Sequence, residues 1–310
     1  MFYHFSDGSF SRVQDLTILD FNHNFLMDIE ENVLTGINIT VLNLAHNAFR
    51  RLPAAALRKL AAVTTLVLDG ALMPVLEAGA LGGLPVKFLS LSSCPLLAHL
   101  EAGSLEDLPL LETLTLNGNP ALAYVHPGAL AGVPRLIALD LTNNNLSALE
   151  DLQPYAPSLR SLYLAGNVLR CHCGLRWLQG NLGGGEAGAS AAANVPGGGF
   201  VVQDGAHVRC SNAGSPRRSP MTTLPLAVAD LNDCGPFILP LFPAEAEADM
   251  GHNISWACRP VGSGGSAMTV TWHLPNGTAL AEPMATESEM DTAAAAVNGN
   301  GRAAVRPGRF

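Results

Sequence analysis

Leu136-Ile137-Ala138-Leu139-Asp140-Leu141-Thr142-Asn143-Asn144 carries leucine at its first, fourth and sixth positions and asparagine at its ninth. On an extended chain the fourth and sixth side chains point the same way, and the fifth and seventh point the other way. Outward from this stretch the pattern Leu-x-x-Leu-x-Leu-x-x-Asn recurs in both directions. Its apolar triplets fall at Leu16/Leu19/Phe21, Ile39/Leu42/Leu44, Val63/Leu66/Leu68, Val86/Leu89/Leu91, Leu111/Leu114/Leu116, Leu136/Leu139/Leu141 and Leu159/Leu162/Leu164. The ninth position reads Asn24, Asn47, Ala71, Cys94, Asn119, Asn144 and Asn167, so the period is 23 to 25 residues. Copies this evenly spaced imply stacked units, each giving one short strand to a parallel sheet over a shared leucine core.

The pattern resembles the leucine-rich repeat family over residues 16 to about 170. That resemblance implies an α/β repeat solenoid, a horseshoe with a parallel concave sheet. In such repeats the ninth asparagine is buried at the turn, where its amide satisfies backbone groups of neighbouring coils. The family tolerates cysteine there, so Cys94 reads as a buried thiol, with a disulfide half or a nucleophile as alternatives. Ala71 has no such hydrogen bond to give, which marks the third repeat as the weak one. The return legs share a Gly-x-Phe/Leu-x-x-Leu pattern, as in Gly103 to Leu108 and Gly128 to Val133. Gly8 to Leu16 aligns with Gly103 to Leu111, so residues 1–15 read as the tail of a truncated repeat, with an upstream repeat, cap and signal peptide expected before it; the alternative is that Phe2, Tyr3, Phe5 and Phe10 serve as an improvised cap.

Residues 170–234 contain Cys171-His172-Cys173-Gly174-Leu175-Arg176-Trp177-Leu178, then Cys210 and Cys234. This resembles the carboxy-terminal cap of extracellular leucine-rich repeat proteins. The resemblance implies the pairs Cys171–Cys210 and Cys173–Cys234. Zinc is the competing chemistry, since His172 and His207 lie near these thiols in sequence, but the Cys-x₂₋₄-Cys spacing of structural zinc sites is absent. A Gly/Ala-rich insertion between Gly180 and Gly205 is too poor in large side chains to pack well and reads as a loop.

Beyond the cap, Ile254 to Cys258 and Thr269 to Leu274 alternate as strands do. They resemble the B and C strands of an immunoglobulin-like domain, with Cys258 and Trp272 as its core pair. The Tyr-x-Cys of strand F is missing. Residues 235–310 are therefore expected to hold an incomplete, partly all-β immunoglobulin-like segment and a disordered tail, and residues 16–169 the seven repeats.

Composition narrows the function. The chain has 310 residues, 48% of them hydrophobic, with 17 Lys+Arg against 26 Asp+Glu. No basic stripe offers a phosphate backbone a partner, so nucleic acid is not expected. The longest apolar run, Phe237 to Phe242, is broken by Pro240 and far short of the roughly 18 residues of a spanning helix. No phosphate loop, His-Glu-x-x-His helix or Gly-x-Ser-x-Gly elbow occurs, and no enzyme activity, cofactor, metal or small-molecule substrate is expected. Sequons stand at Asn38, Asn145, Asn253 and Asn276 as candidate glycosylation sites.

The order of repeats, cysteine cap and immunoglobulin-like segment resembles the LRR–Ig family of cell-surface proteins, which includes the insect Kekkon receptors and vertebrate neuronal adhesion molecules. Membership implies an adhesion or receptor-modulating ectodomain that binds an extracellular or cell-surface protein, homophilic binding included. It would be anchored by a single-pass helix outside this chain. A secreted decoy or matrix-associated protein without an anchor is the alternative, and an intracellular repeat scaffold is a further rival that free cap thiols would favour. The residues flanking the sixth-position leucines form the expected concave binding face: Asp20, Asn43, Val67, Ser90, Thr115, Asp140 and Tyr163 at the fifth position, and Asn22, Ala45, Asp69, Ser92, Asn117, Thr142 and Ala165 at the seventh. This face reads as small, polar and slightly acidic, with Tyr163 its only aromatic, and Tyr163 with Asp140 is the expected centre of binding.

Overall fold

The computed structural model describes Phe10, residues 16–183, 199–211 and 223–235, and strands at 237–240, 254–261, 269–273, 279–283 and 293–297. The chain divides into two compact units, Met1–Leu231 and Asn232–Phe310.

In chain order the first unit holds β1 (Ile18–Asp20), β2 (Val41–Asn43), β3 (Thr65–Val67), β4 (Phe88–Ser90), β5 (His99–Leu100), β6 (Thr113–Thr115), β7 (Tyr124–Val125), β8 (Ala138–Asp140), β9 (Ser161–Tyr163), β10 (Leu169–Arg170), β11 (Val201–Val202), β12 (Arg209–Ser211) and β13 (Thr223–Pro225). One strand of each repeat, from β1 through β2, β3, β4, β6 and β8 to β9, joins a parallel sheet that β11 extends. The register is unbroken, so the fourth-position residues Leu19, Leu42, Leu66, Leu89, Leu114, Leu139 and Leu162 form one row. All are buried in one core that runs from the first repeat to Leu231. A strand of three residues could not persist alone, and here each is held by burial of its central leucine and by ladders to its neighbours.

Among the described residues the helical half of the α/β expectation is met only by single turns, such as α1 (Ala54–Leu57) and a 3-10 turn at Pro127–Leu130. Each coil must close within its short period, and its return leg does so by packing backbone against backbone. A Cβ on Gly132 would lie 2.6 Å from the Leu105 carbonyl oxygen and 2.7 Å from the Glu106 Cα.

The ninth-position asparagines bridge successive coils. Asn119 donates Nδ2 to the Leu91 carbonyl of the preceding repeat and to its own Leu116 carbonyl, while its Oδ1 accepts from the Cys94 amide. Asn47 and Asn167 repeat the arrangement toward Phe21 and Leu141. Asn144 Oδ1 accepts from the Asn119 amide. At the third repeat Ala71 is buried but has no side-chain donor, and the Cys94 thiol only approaches the Leu68 carbonyl at 3.7 Å.

The cap covers the last coil. After a 3-10 turn at Cys173–Leu175, α2 (Arg176–Gln179) places Trp177 so that its Nε1 donates to the Leu149 carbonyl at 3.3 Å, with its ring 5.4 Å from that of Phe200. β10, β12 and β13 make a small mixed sheet beside it. Cys171 and Cys210 are joined by a disulfide, and Cys173 and Cys234 are each disulfide-bonded as well.

The second unit contains β14 (Phe237–Pro240), β15 (Ile254–Val261), β16 (Thr269–His273), β17 (Ala279–Pro283) and β18 (Ala293–Val297). β15 pairs antiparallel with β14 and β18, and β16 pairs with β17. Two strands thus stand where a disordered tail was expected. Ala293–Val297, four alanines of low strand propensity and a valine, pairs there along its whole length with β15. The Asn253 and Asn276 sequons and the interior of the Gly/Ala-rich insertion lie outside the described residues. So do the side chains of Cys258 on β15 and Trp272 on β16.

Thermal unfolding checks the packing argument. Gly132→Ala is expected to destabilise by about 1–3 kcal/mol because backbone, not a side-chain tip, fills the space. Gly180→Ala, whose Cβ would meet nothing within 4 Å, is expected to leave the Tm unchanged or slightly higher.

Candidate binding face

Strand alternation buries positions four and six, so positions three, five and seven share the open face of the sheet. Parallel register aligns each set into a row across the strands. The fifth-position row runs Asp20, Asn43, Val67, Ser90, Thr115, Asp140 and Tyr163. Asp140 and Tyr163 are therefore neighbours on adjacent strands, and Tyr163 is 37% exposed.

The third-position row was not considered in the sequence reading, although the same alternation places it on this face. It runs Ile18, Val41, Thr65, Phe88, Thr113, Ala138 and Ser161. Phe88 is 47% exposed and stands between Thr65 and Thr113. The expectation that Tyr163 is the face's only aromatic is corrected accordingly: an apolar and hydroxyl row lies beside the polar one.

Several polar residues assigned to partner binding also serve the backbone. The sixth-position amide donates to the fifth-position carbonyl of the next repeat, as Leu116 does to Asp140. The seventh-position amide points to the open face and takes a side-chain acceptor. Asp20 accepts from the Asn22 amide, Asn43 from Ala45, and Asp140 from Thr142 at 2.9 Å. The fifth residue of the fourth repeat is Ser90, and there Asp69 of the preceding repeat accepts from both the Ser92 amide and the Ser90 hydroxyl. Asp140 also accepts from the Thr142 hydroxyl and from Asn117 Nδ2. Much of its hydrogen-bonding capacity is already engaged within the sheet.

The last repeat has no eighth strand of its own kind to accept from it. The Asp204 carboxylate takes that place, accepting from the Leu164 amide at 2.9 Å and from the Ala165 amide at 2.6 Å. Asp204 belongs to no repeat and stands at the end of the Gly/Ala-rich insertion, where composition gives no sign of a structural carboxylate.

The eighth position closes each strand with a turn in the left-handed region: His23, His46, Gly70, Ser93, Gly118, Asn143 and Gly166 all have positive φ. A Cβ on Gly70 would meet the His46 ring. His23 and His46 are exposed or partly so, and their rings stack with centroids 4.4 Å apart. Burial pushes the Cys94 thiol up to about 11, so at neutral pH it stays a protonated core side chain. His172 is buried with its Nδ1 accepting from the Gly174 amide, whereas His207 is exposed. Among the described residues no group of three or more His, Cys, Asp or Glu could hold a metal ion, and no helix is long and apolar enough to cross a membrane.

Residues 109–169 match the leucine rich repeat family. They are leucine-rich repeats, and the strand register that they share continues back to β1. No curated protein matches the chain. Among solved structures the chain is similar to one described as the Toll–Spatzle complex, a molecular hub in Drosophila development and innate immunity, in its glycosylated form. The two are 22% identical over 53% of this chain, with a TM-score of 0.40, and this chain covers 25% of that one.

The end-capping role of Asp204 is open to direct measurement. Asp204→Ala should lower stability by about 1–3 kcal/mol, and hydrogen exchange at the Leu164 and Ala165 amides should accelerate while β2 and β3 stay protected. Unchanged exchange at those two amides would show that the carboxylate does not close the sheet.

Proposed function

We propose that the chain is an extracellular protein-binding module that recognises a protein partner through the open face of its repeat sheet. The exposed aromatics Phe88 and Tyr163, set on rigid strands among small polar side chains, carry this reading. Rigid aromatic anchors surrounded by polar groups are what protein interfaces concentrate their binding energy in. Asp20, Asn43, Ser90, Thr115 and Asp140 supply the polar surround, with the backbone-bound carboxylates setting charge and turn geometry.

Disulfide chemistry supports a location outside the cell, because disulfides such as Cys171–Cys210 persist in oxidising compartments. The segment after the cap supports the LRR–Ig order. β15, with Cys258, and β16, with Trp272, lie in different sheets, as strands B and C of an immunoglobulin-like domain do. On this reading residues 16–169 are the repeats, 170–234 the cap and 235–310 the immunoglobulin-like segment. The protein is then a Kekkon-like adhesion or receptor-modulating ectodomain. The same face would serve an anchored receptor at the plasma membrane or a secreted form, and a second copy of the chain is one partner it could take.

Binding of the labelled, oxidised chain to cell surfaces tests the face. Phe88→Ala with Tyr163→Ala is expected to weaken binding at least about tenfold at unchanged Tm. Thr115→Ala should change it little. Full binding by the aromatic double variant, with loss on substitution along the return legs, would move the site off the sheet.

A further inference from the structure

The asparagines of the first unit divide by what their amides do. Asn47, Asn119, Asn144 and Asn167 hold coils together through side-chain hydrogen bonds. Asn38 and Asn145 are exposed, and among the described residues their side-chain amides make no hydrogen bond. These two are also followed at the second place by a hydroxyl residue, in Asn38-Ile39-Thr40 and Asn145-Leu146-Ser147. Asn143 is likewise exposed without a side-chain partner among the described residues, but no such residue follows it.

Their positions in the fold are complementary. Asn38 lies just ahead of β2, and Asn145 lies just beyond β8. Every strand of the repeat sheet runs the same way, so one asparagine sits on the rim where strands begin and the other on the rim where they end. Neither lies on a strand. A large hydrophilic group could be added at both without entering the core, breaking the asparagine ladder or covering the open face.

We propose that Asn38 and Asn145 each carry an N-linked glycan, and that the pair borders the sheet face from opposite rims and leaves it as the surface open to protein. The proposal rests on the extracellular reading above. In the modification the amide Nδ2 attacks C1 of the donor sugar, held as a lipid-linked diphosphate. A C1–N bond forms, the C1–O bond to the diphosphate breaks, and the proton lost from nitrogen leaves with the lipid diphosphate. No oxidant or reductant is involved.

The chain is produced behind a secretion leader in cultured animal cells, then mapped as peptides before and after enzymatic removal of N-glycans. Expected are glycopeptides spanning Asn38 and Asn145, each converted to Asp on deglycosylation. Asn38→Gln and Asn145→Gln should each remove one glycan from the intact mass and leave the Tm of the deglycosylated protein unchanged. Either site found bare in secreted protein that has formed the Cys171–Cys210 disulfide overturns the proposal for that site while leaving the extracellular reading intact. Free thiols at Cys171 and Cys210 in that material would instead remove the extracellular reading on which the proposal stands.

Discussion

Backbone hydrogen bonding between coils is the constraint on which the repeat unit depends. Each repeat offers a strand of only three residues, and an amide or carbonyl left dry and unpaired in its core costs more than a single contact returns. Two devices meet the requirement. Ninth-position amides reach the carbonyl of the coil before and accept an amide from it. On the other side of the strand, carboxylates and amides of the open face collect the outward-pointing seventh-position N–H groups. Asp204 is the same solution applied where the repetition stops: a side chain replaces the carbonyl that another coil would have supplied.

A second constraint is space. The leucine rows fill one side of each coil, but the return legs approach until backbone meets backbone at Gly132, and the turn after each strand adopts a left-handed conformation at every eighth position. That position accepts glycine, and also His, Ser and Asn, whose side chains tolerate the left-handed region better than branched ones. Where neighbouring side chains crowd the turn, as His46 does at Gly70, glycine is required for room as well as for conformation. Ridged leucines and tight turns together hold the sheet in register without long helices behind it.

The repeat strands and their register were legible because a two-residue alternation inside a fixed period leaves little freedom once the leucines are buried. The cap was legible through Cys171 and Cys173 beside Trp177. Other features were harder to read. Phe88 follows from the same alternation, since it flanks the fourth-position Leu89 as Ser90 does, on the side that the sixth-position leucine does not share. Asp204 carries no periodic signal, since its partners just after β9 lie some forty residues earlier in the chain. The double role of Asp140 was hidden because a sequence shows which face a carboxylate is on, but not which amides already hold it.

Ala71 and Cys94 give the third repeat another significance. In a linear array each coil is stabilised by itself and by its two interfaces, and by nothing farther away. The interfaces on either side of the third coil lack the asparagine bridge that fastens the first to the second and the fifth to the sixth. The third coil is therefore joined to its neighbours by strand ladders and shared leucine packing, with the Asp69 carboxylate reaching the fourth repeat in place of a ninth-position amide.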